Sequence, residues 1–173
     1  EDGIRDFCLS RGLGDVYKRQ AKTLHDKLAP LGAKALLESL PAIINQSYQP
    51  EPQDESQACY AHKLKKSEAL IDWNESAVQI ERNIRAFNPW PVAQTTLNGE
   101  TVRIWQASVM ADDPATAKPG TVLAVSPDGV LVATGAGVLS LQTVQRAGKK
   151  PMPAPDFAHG LGWGRHPQGA CFE

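Results

Sequence analysis

The chain has few of the residues that would declare a chemistry. Its 173 residues hold 3 cysteines, Cys8, Cys59 and Cys171, far apart and in no Cys-x-x-Cys pair. That usage writes neither a zinc knuckle nor a secreted disulfide framework, and it fits a reducing cytoplasm. The 4 histidines, His25, His62, His159 and His166, stand in no His-Glu-x-x-His frame and beside no nucleophile elbow, so no nucleophile and base can be paired and no metal site is assigned. No glycine-rich phosphate loop opens a helix, because Gly135-Ala136-Gly137 lies between two β-prone runs and reads as a turn. Asp112 and Asp113 sit beside Pro114 in a loop, where paired carboxylates solvate or cap. Apolar runs near 18 residues and a basic-then-apolar leader are both missing, which argues against a membrane span or a signal peptide. Net charge is only −1, so the chain as a whole does not attract nucleic acid, and such a role must come from a local patch.

What is present falls into five segments. Residues 1–20 show no sustained period, and Cys8 to Gln20 reads like translated adapter sequence of the kind left at artificial gene ends, so this stretch is set aside as a non-native leader. Residues 21–44 are helical: Thr23 and Asp26 have capping-box spacing, Leu24, Leu28 and Leu31 form one face, and Pro30 with Gly32 is expected to split the segment before a second helix over Ala33 to Ile44. Residues 45–58, rich in proline, glutamine and acid with almost nothing to bury, have the composition of a linker. Residues 59–155 form the main domain, and 156–173 are left as a tail.

The main domain opens with the basic knot Lys63-Leu64-Lys65-Lys66. Ser76 and Gln79 then cap a helix whose Ala77, Ile80, Ile84 and Phe87 recur at helical spacing, with Arg82 and Arg85 on other faces. Asn88-Pro89-Trp90-Pro91 ends that helix. Two prolines are expected to hold Trp90 in a short extended rod, either as a domain joint or as a stacking surface, and Phe87 and Trp90 are read in the first place as interdomain packing. From there the period becomes extended. Val92 to Leu97 and Thr101 to Val109 flank Asn98-Gly99, the signature of a type I′ hairpin. Thr121 to Val125, Val130 to Thr134 and Val138 to Val144 add three strands. Five short strands with one packed helix make an α+β domain with a small antiparallel, OB-like barrel.

Basic residues cluster at both ends of that barrel. Between Tyr60 and Met152 there are 10 Lys and Arg against 8 Asp and Glu, so clustering carries the argument and net excess does not. Lys63, Lys65 and Lys66 precede the helix, and Lys149 and Lys150 follow the last strand. A basic rim on an OB-like barrel is suited to tracking phosphates.

Lys63 to Trp73, Ile84 to Pro91, Gly120-Thr121-Val122 and Gln145 to Met152, in this order and spacing, resemble the C-terminal part of methionyl-tRNA formyltransferases. The resemblance covers about Thr23 to Gly160. It implies an enzyme that moves a formyl group from 10-formyltetrahydrofolate to methionyl initiator tRNA, with chemistry in an N-terminal Rossmann-like domain. There the family uses an asparagine, a histidine in a His-x-Ser-Leu-Leu-Pro type motif and an aspartate. This chain has no such histidine motif, so no catalytic residue is carried over, and the formyl donor is not expected to bind this fragment. By the same resemblance, 21–44 is the last helical element of the catalytic domain and 59–155 the tRNA-binding domain. Lys63, Lys65, Lys66, Lys149 and Lys150 are its phosphate contacts, with Arg82 and Arg85 in second rank as contacts or interdomain ion pairs. The expectation is a cytoplasmic monomer, inactive alone, whose partner is initiator methionyl-tRNA. Two alternatives stand beside it: a free-standing RNA-binding barrel, and the C-terminal domain of a related sugar-nucleotide formyltransferase.

Overall fold

The computed structural model describes residues 21–111 and 117–173; the leader reading for 1–20 and the loop carrying Asp112 and Asp113 lie outside them. Helix α1 runs unbroken over Ala21–Ile44 with Pro30 and Pro41 inside it, so the expected split at Pro30 does not occur. The flanks are alanine, leucine and lysine, which favour helix over many residues, and Gly32 stays out of the left-handed region that would end it. Thr23 lies in the first turn rather than capping it, and Asp26 pairs with Lys22 one turn back. None of the α1 side chains is buried.

The remaining elements are α2 (Ala77–Ala86), β1 (Ala93–Leu97), β2 (Glu100–Ala111), β3 (Val122–Ser126), β4 (Gly129–Ala133), β5 (Val138–Arg146), β6 (Met152–Pro153) and α3 (Ala154–Gly160). The strands form one antiparallel sheet in the order β1-β2-β5-β4-β3, with β6 on β5. This is an α+β fold. Asn98 at φ 51° and Gly99 at φ 80° turn β1 into β2, as the type I′ pattern requires. Ser76 caps α2, its Oγ accepting from the Gln79 N–H at 3.2 Å, while the Gln79 side chain donates forward to Asn83 instead of reaching back. Ile80 and Ile84 of α2 meet Val102, Ile104, Leu139 and Leu141 of the sheet in one core.

Two features depart from the sequence reading. The segment after α2 is no extended rod: residues 87–91 form a turn with cis peptides at Asn88-Pro89 and Trp90-Pro91, because a tertiary amide retains little preference for trans. The Val92 N–H closes it on the Phe87 carbonyl at 2.9 Å. Residues 156–173, read as a tail, belong to the fold. Phe157, Ala158 and Phe172 are buried in the core, and Phe172 stacks on Trp73 with ring centroids 5.6 Å apart. The last residues also bond to both outer strands. Glu173 and Thr96 of β1 exchange backbone hydrogen bonds of 2.8 and 3.1 Å, while Phe172 donates to Gly120 and Val122 donates to Ala170, each at 2.9 Å. The C-terminal segment thereby bridges the two outer strands, β1 and β3, and covers part of their free edges.

Candidate nucleic-acid interface

The face that carries Lys66, one of the predicted cations, is built on β1 and β2. Alternation along β2 buries Val102 and Ile104 and turns Arg103 and Trp105 outward. Arg103 stands opposite Gln94 of β1 on one side and Gln145 of β5 on the other. Ahead of β1 the chain makes a 3-10 turn over Lys66–Ala69, and the Ile71 N–H donates to the Gln94 carbonyl at 2.9 Å. That bond lays the basic segment along β1 and delivers Lys66 to the same face.

There Lys66, Trp90, Pro91, Gln94, Arg103 and Trp105 surround a depression of about 260 Å³. It is held rigidly. Buried Asn88 donates from Nδ2 to the Trp105 carbonyl at 3.1 Å, tying the proline turn to β2. The Trp105 indole N–H donates to Gln145 Oε1 at 2.8 Å, and Gln145 Nε2 donates to the Lys149 carbonyl at 2.6 Å. Lys149 and Lys150 are exposed in the turn after β5, which Gly148 enters at φ 69°. One hydrogen-bonded chain therefore runs from the turn that carries Trp90 to the turn that carries the second lysine pair.

Lys63, Lys65, Lys66, Lys149 and Lys150 are exposed and make no ion pair among the described residues. Arg82 is exposed and unpaired in the same sense. Arg85 differs, because its guanidinium grips Glu81 one turn earlier through two nitrogens, Nη2 to Oε2 at 2.8 Å, with both side chains about four-fifths buried. Its fork is already filled. Phe87 is buried, while Trp90 keeps 55% of its surface exposed. Arg103 and Trp105 extend the face beyond the residues singled out from the sequence. An Arg-x-Trp pair within an alternating strand is the signal that would have found them.

The shifted carboxylates are held by local bonds. Asp72 is lowered, chiefly by the Asn74 backbone N–H and then by its side-chain amide, and Asp54 chiefly by the Ser56 hydroxyl. Among the described residues no three histidine, cysteine, aspartate or glutamate side chains converge as metal ligands, and no helix is long and apolar enough to cross a membrane.

An antiparallel sheet bridged at its outer strands by the C-terminal segment, with a flanking helix, defines a small α+β domain. By sequence the chain belongs to the formyl transferase C-terminal domain family, whose model matches residues 63–162. It is 52% identical over 147 residues to a methionyl-tRNA formyltransferase of Nitrosococcus oceani, a match covering 83% of this chain and 45% of that protein. A methionyl-tRNA formyltransferase of Hahella chejuensis is 49% identical, covering 80% of this chain and 43% of the relative. The chain thus spans less than half the length of these relatives. In structure it is similar to HypX from Aquifex aeolicus. One variant of that protein superposes with a TM-score of 0.63 at 21% identity, over 84% of this chain and 26% of the other. HypX in complex with tetrahydrofolic acid gives 0.56 at 23% identity, over 75% and 22%. At such identity the likeness establishes the fold alone.

Proposed function

We propose that this chain is the tRNA-holding part of a methionyl-tRNA formyltransferase of the cytoplasm, acting as a monomer on initiator methionyl-tRNA. The observation that carries this reading is the set of unpaired cations, Lys63, Lys65 and Lys66 before α2 and Lys149 and Lys150 after β5, with Lys66 beside Trp105 and Trp105 bonded through Gln145 to the Lys149 backbone. Cations without carboxylate partners are free to replace the counterions of a phosphate backbone. The names and identities of the two bacterial relatives support tRNA over a sugar nucleotide. The exposed leucines of α1, Leu28, Leu31, Leu36 and Leu37 among them, support its reading as an element that packs on an upstream catalytic domain, with residues 45–58 as the linker.

In this reading formyl transfer from 10-formyltetrahydrofolate needs groups that this chain does not supply, and no described residue is assigned to the donor. The chain's own residues bind and orient the tRNA. The test is a filter-binding titration of the chain with initiator tRNA at several salt concentrations. Binding is expected to weaken steeply with salt, and Lys149→Ala with Lys150→Ala is expected to flatten the log–log slope by about 1.8, as the loss of two phosphate contacts requires. Binding indifferent to salt and to the double change would overturn the reading. A formyl-transfer assay on the chain alone is expected to show no turnover; measurable turnover would refute the division of labour.

A further inference from the structure

We infer that the depression between Trp90 and Trp105 is a nucleotide site, in which one unpaired nucleotide of the bound RNA stacks its base on Trp90 and sets its phosphate against Lys66 and Arg103. The inference rests on the tRNA reading above and goes beyond it by assigning a base-stacking contact.

The lining is unusual for a protein-packing surface. It contains two tryptophans, Trp90 and Trp105, two cations, Lys66 and Arg103, and the Gln94 amide, with two prolines, one valine and no carboxylate. A half-exposed tryptophan costs free energy in water unless something covers it, and a ring beside two unpaired cations selects a planar, anionic partner. About 260 Å³ is below the range of pockets that enclose drug-sized ligands, and it suits one base with its ribose phosphate. Gln94, which faces the depression from β1, offers a donor and an acceptor to a base edge.

The site is also preorganised. The Asn88 bond to the Trp105 carbonyl fixes the turn, and the Trp105 bond to Gln145 fixes the second indole, so stacking requires little reordering of the protein. Trp105 is partly buried in β2 whereas Trp90 keeps 55% of its surface exposed, which leaves Trp90 as the ring open to a ligand. A base enters such a site only after leaving its helix, because bases inside an A-form duplex present no free face. The occupant is therefore an unpaired residue, and the lysines on either side follow the backbone leading to it.

The probes are initiator tRNA, a single-stranded hexa-adenylate and a blunt RNA duplex, titrated against the full chain. Trp90→Ala is expected to weaken tRNA about tenfold and to abolish binding of the hexanucleotide, with an unchanged salt slope. Trp90→Phe, which keeps a stacking ring, is expected to stay within about twofold of wild type. The duplex should be indifferent to both. Arg103→Gln, exposed and outside the turn, gives a second reading: a salt slope lower by about 1 for tRNA. If wild-type chain binds tRNA in a salt-dependent way and Trp90→Ala binds tRNA and hexanucleotide as wild type does, the stacking site is refuted while the tRNA reading stands. If wild-type chain fails to bind tRNA, the underlying reading falls and the site falls with it.

Discussion

Replacing Phe172 by alanine tests whether the C-terminal segment is part of the fold. Phe172 is 2% exposed, stacks on Trp73 at 5.6 Å and meets the edge of Trp163 at 6.3 Å. Truncating a buried phenylalanine costs about 3–5 kcal/mol, from lost transfer free energy plus the cavity left behind. Here the lower end applies, because an irregular segment relaxes into a void more readily than a central strand does. A loss of about 3 kcal/mol lowers the melting temperature of a domain of roughly 100 residues by about 12–24 °C. With a urea dependence near 1.5 kcal/mol per molar it moves the denaturation midpoint down by about 2 M.

The assay is urea denaturation followed by tryptophan fluorescence, since Trp73 and Trp163 both touch the deleted ring, with a circular-dichroism melt as second probe. Glu173→Ala is the control. Glu173 joins β1 through its backbone and its side chain is exposed, so this change is expected to cost less than about 0.5 kcal/mol. Bridging of the outer strands by the C-terminal segment is refuted if Phe172→Ala melts within about 2 °C of wild type.

Gly135→Ala is expected to destabilise at the upper end of the roughly 1–3 kcal/mol of overpacking, because its new methyl would lie 1.8 Å from the Asn74 carbonyl oxygen, backbone against backbone; a melt reads the loss. Ser76→Ala removes the acceptor for the Gln79 N–H and should cost about 1 kcal/mol in urea denaturation, with Ser76→Asp restoring most of it.

The legible parts of the sequence were those in which a local pattern agrees with the tertiary outcome. Ser76 at the cap, the Ile80 and Ile84 stripe, and Asn98-Gly99 between two alternating runs each state their structure within a few residues. Three things were not legible, for distinct reasons. The turn at Asn88 to Pro91 is fixed from a distance: Asn88 is buried and donates to the Trp105 carbonyl 17 positions away. Pro30 does not break α1, because one lost hydrogen bond competes with the propensity of a whole helix. The closing segment has no period at all. Residues 161–173 are glycine-rich, and the contacts that fix them, Phe172 on Trp73 and Glu173 on Thr96, are separated by 99 and 77 positions, beyond any windowed pattern.

Clustering explains how a chain of net charge −1 presents a basic face. Two acids of the barrel are engaged close to home: Glu81 holds Arg85, and Glu100 holds Arg146 at 2.7 Å. Each such pair takes one carboxylate and one arginine out of the external field. Lys66 and Arg103 at the Trp90 depression, and Lys149 and Lys150 beyond Gln145, have no acidic partner among the described residues. The potential over that face is set by charges within about a Debye length, near 8–10 Å at physiological salt, and not by the sum over the chain. Reversing one pairing should therefore change binding more than changing the total charge elsewhere does. Glu100→Gln frees Arg146, one residue beyond Gln145 and three before Lys149, so it should raise tRNA affinity at low salt. An equal charge change at an acid with no ion pair among the described residues, such as Glu51→Gln, should leave it unaltered; equal effects from both would mean that net charge and not local pairing governs the interaction.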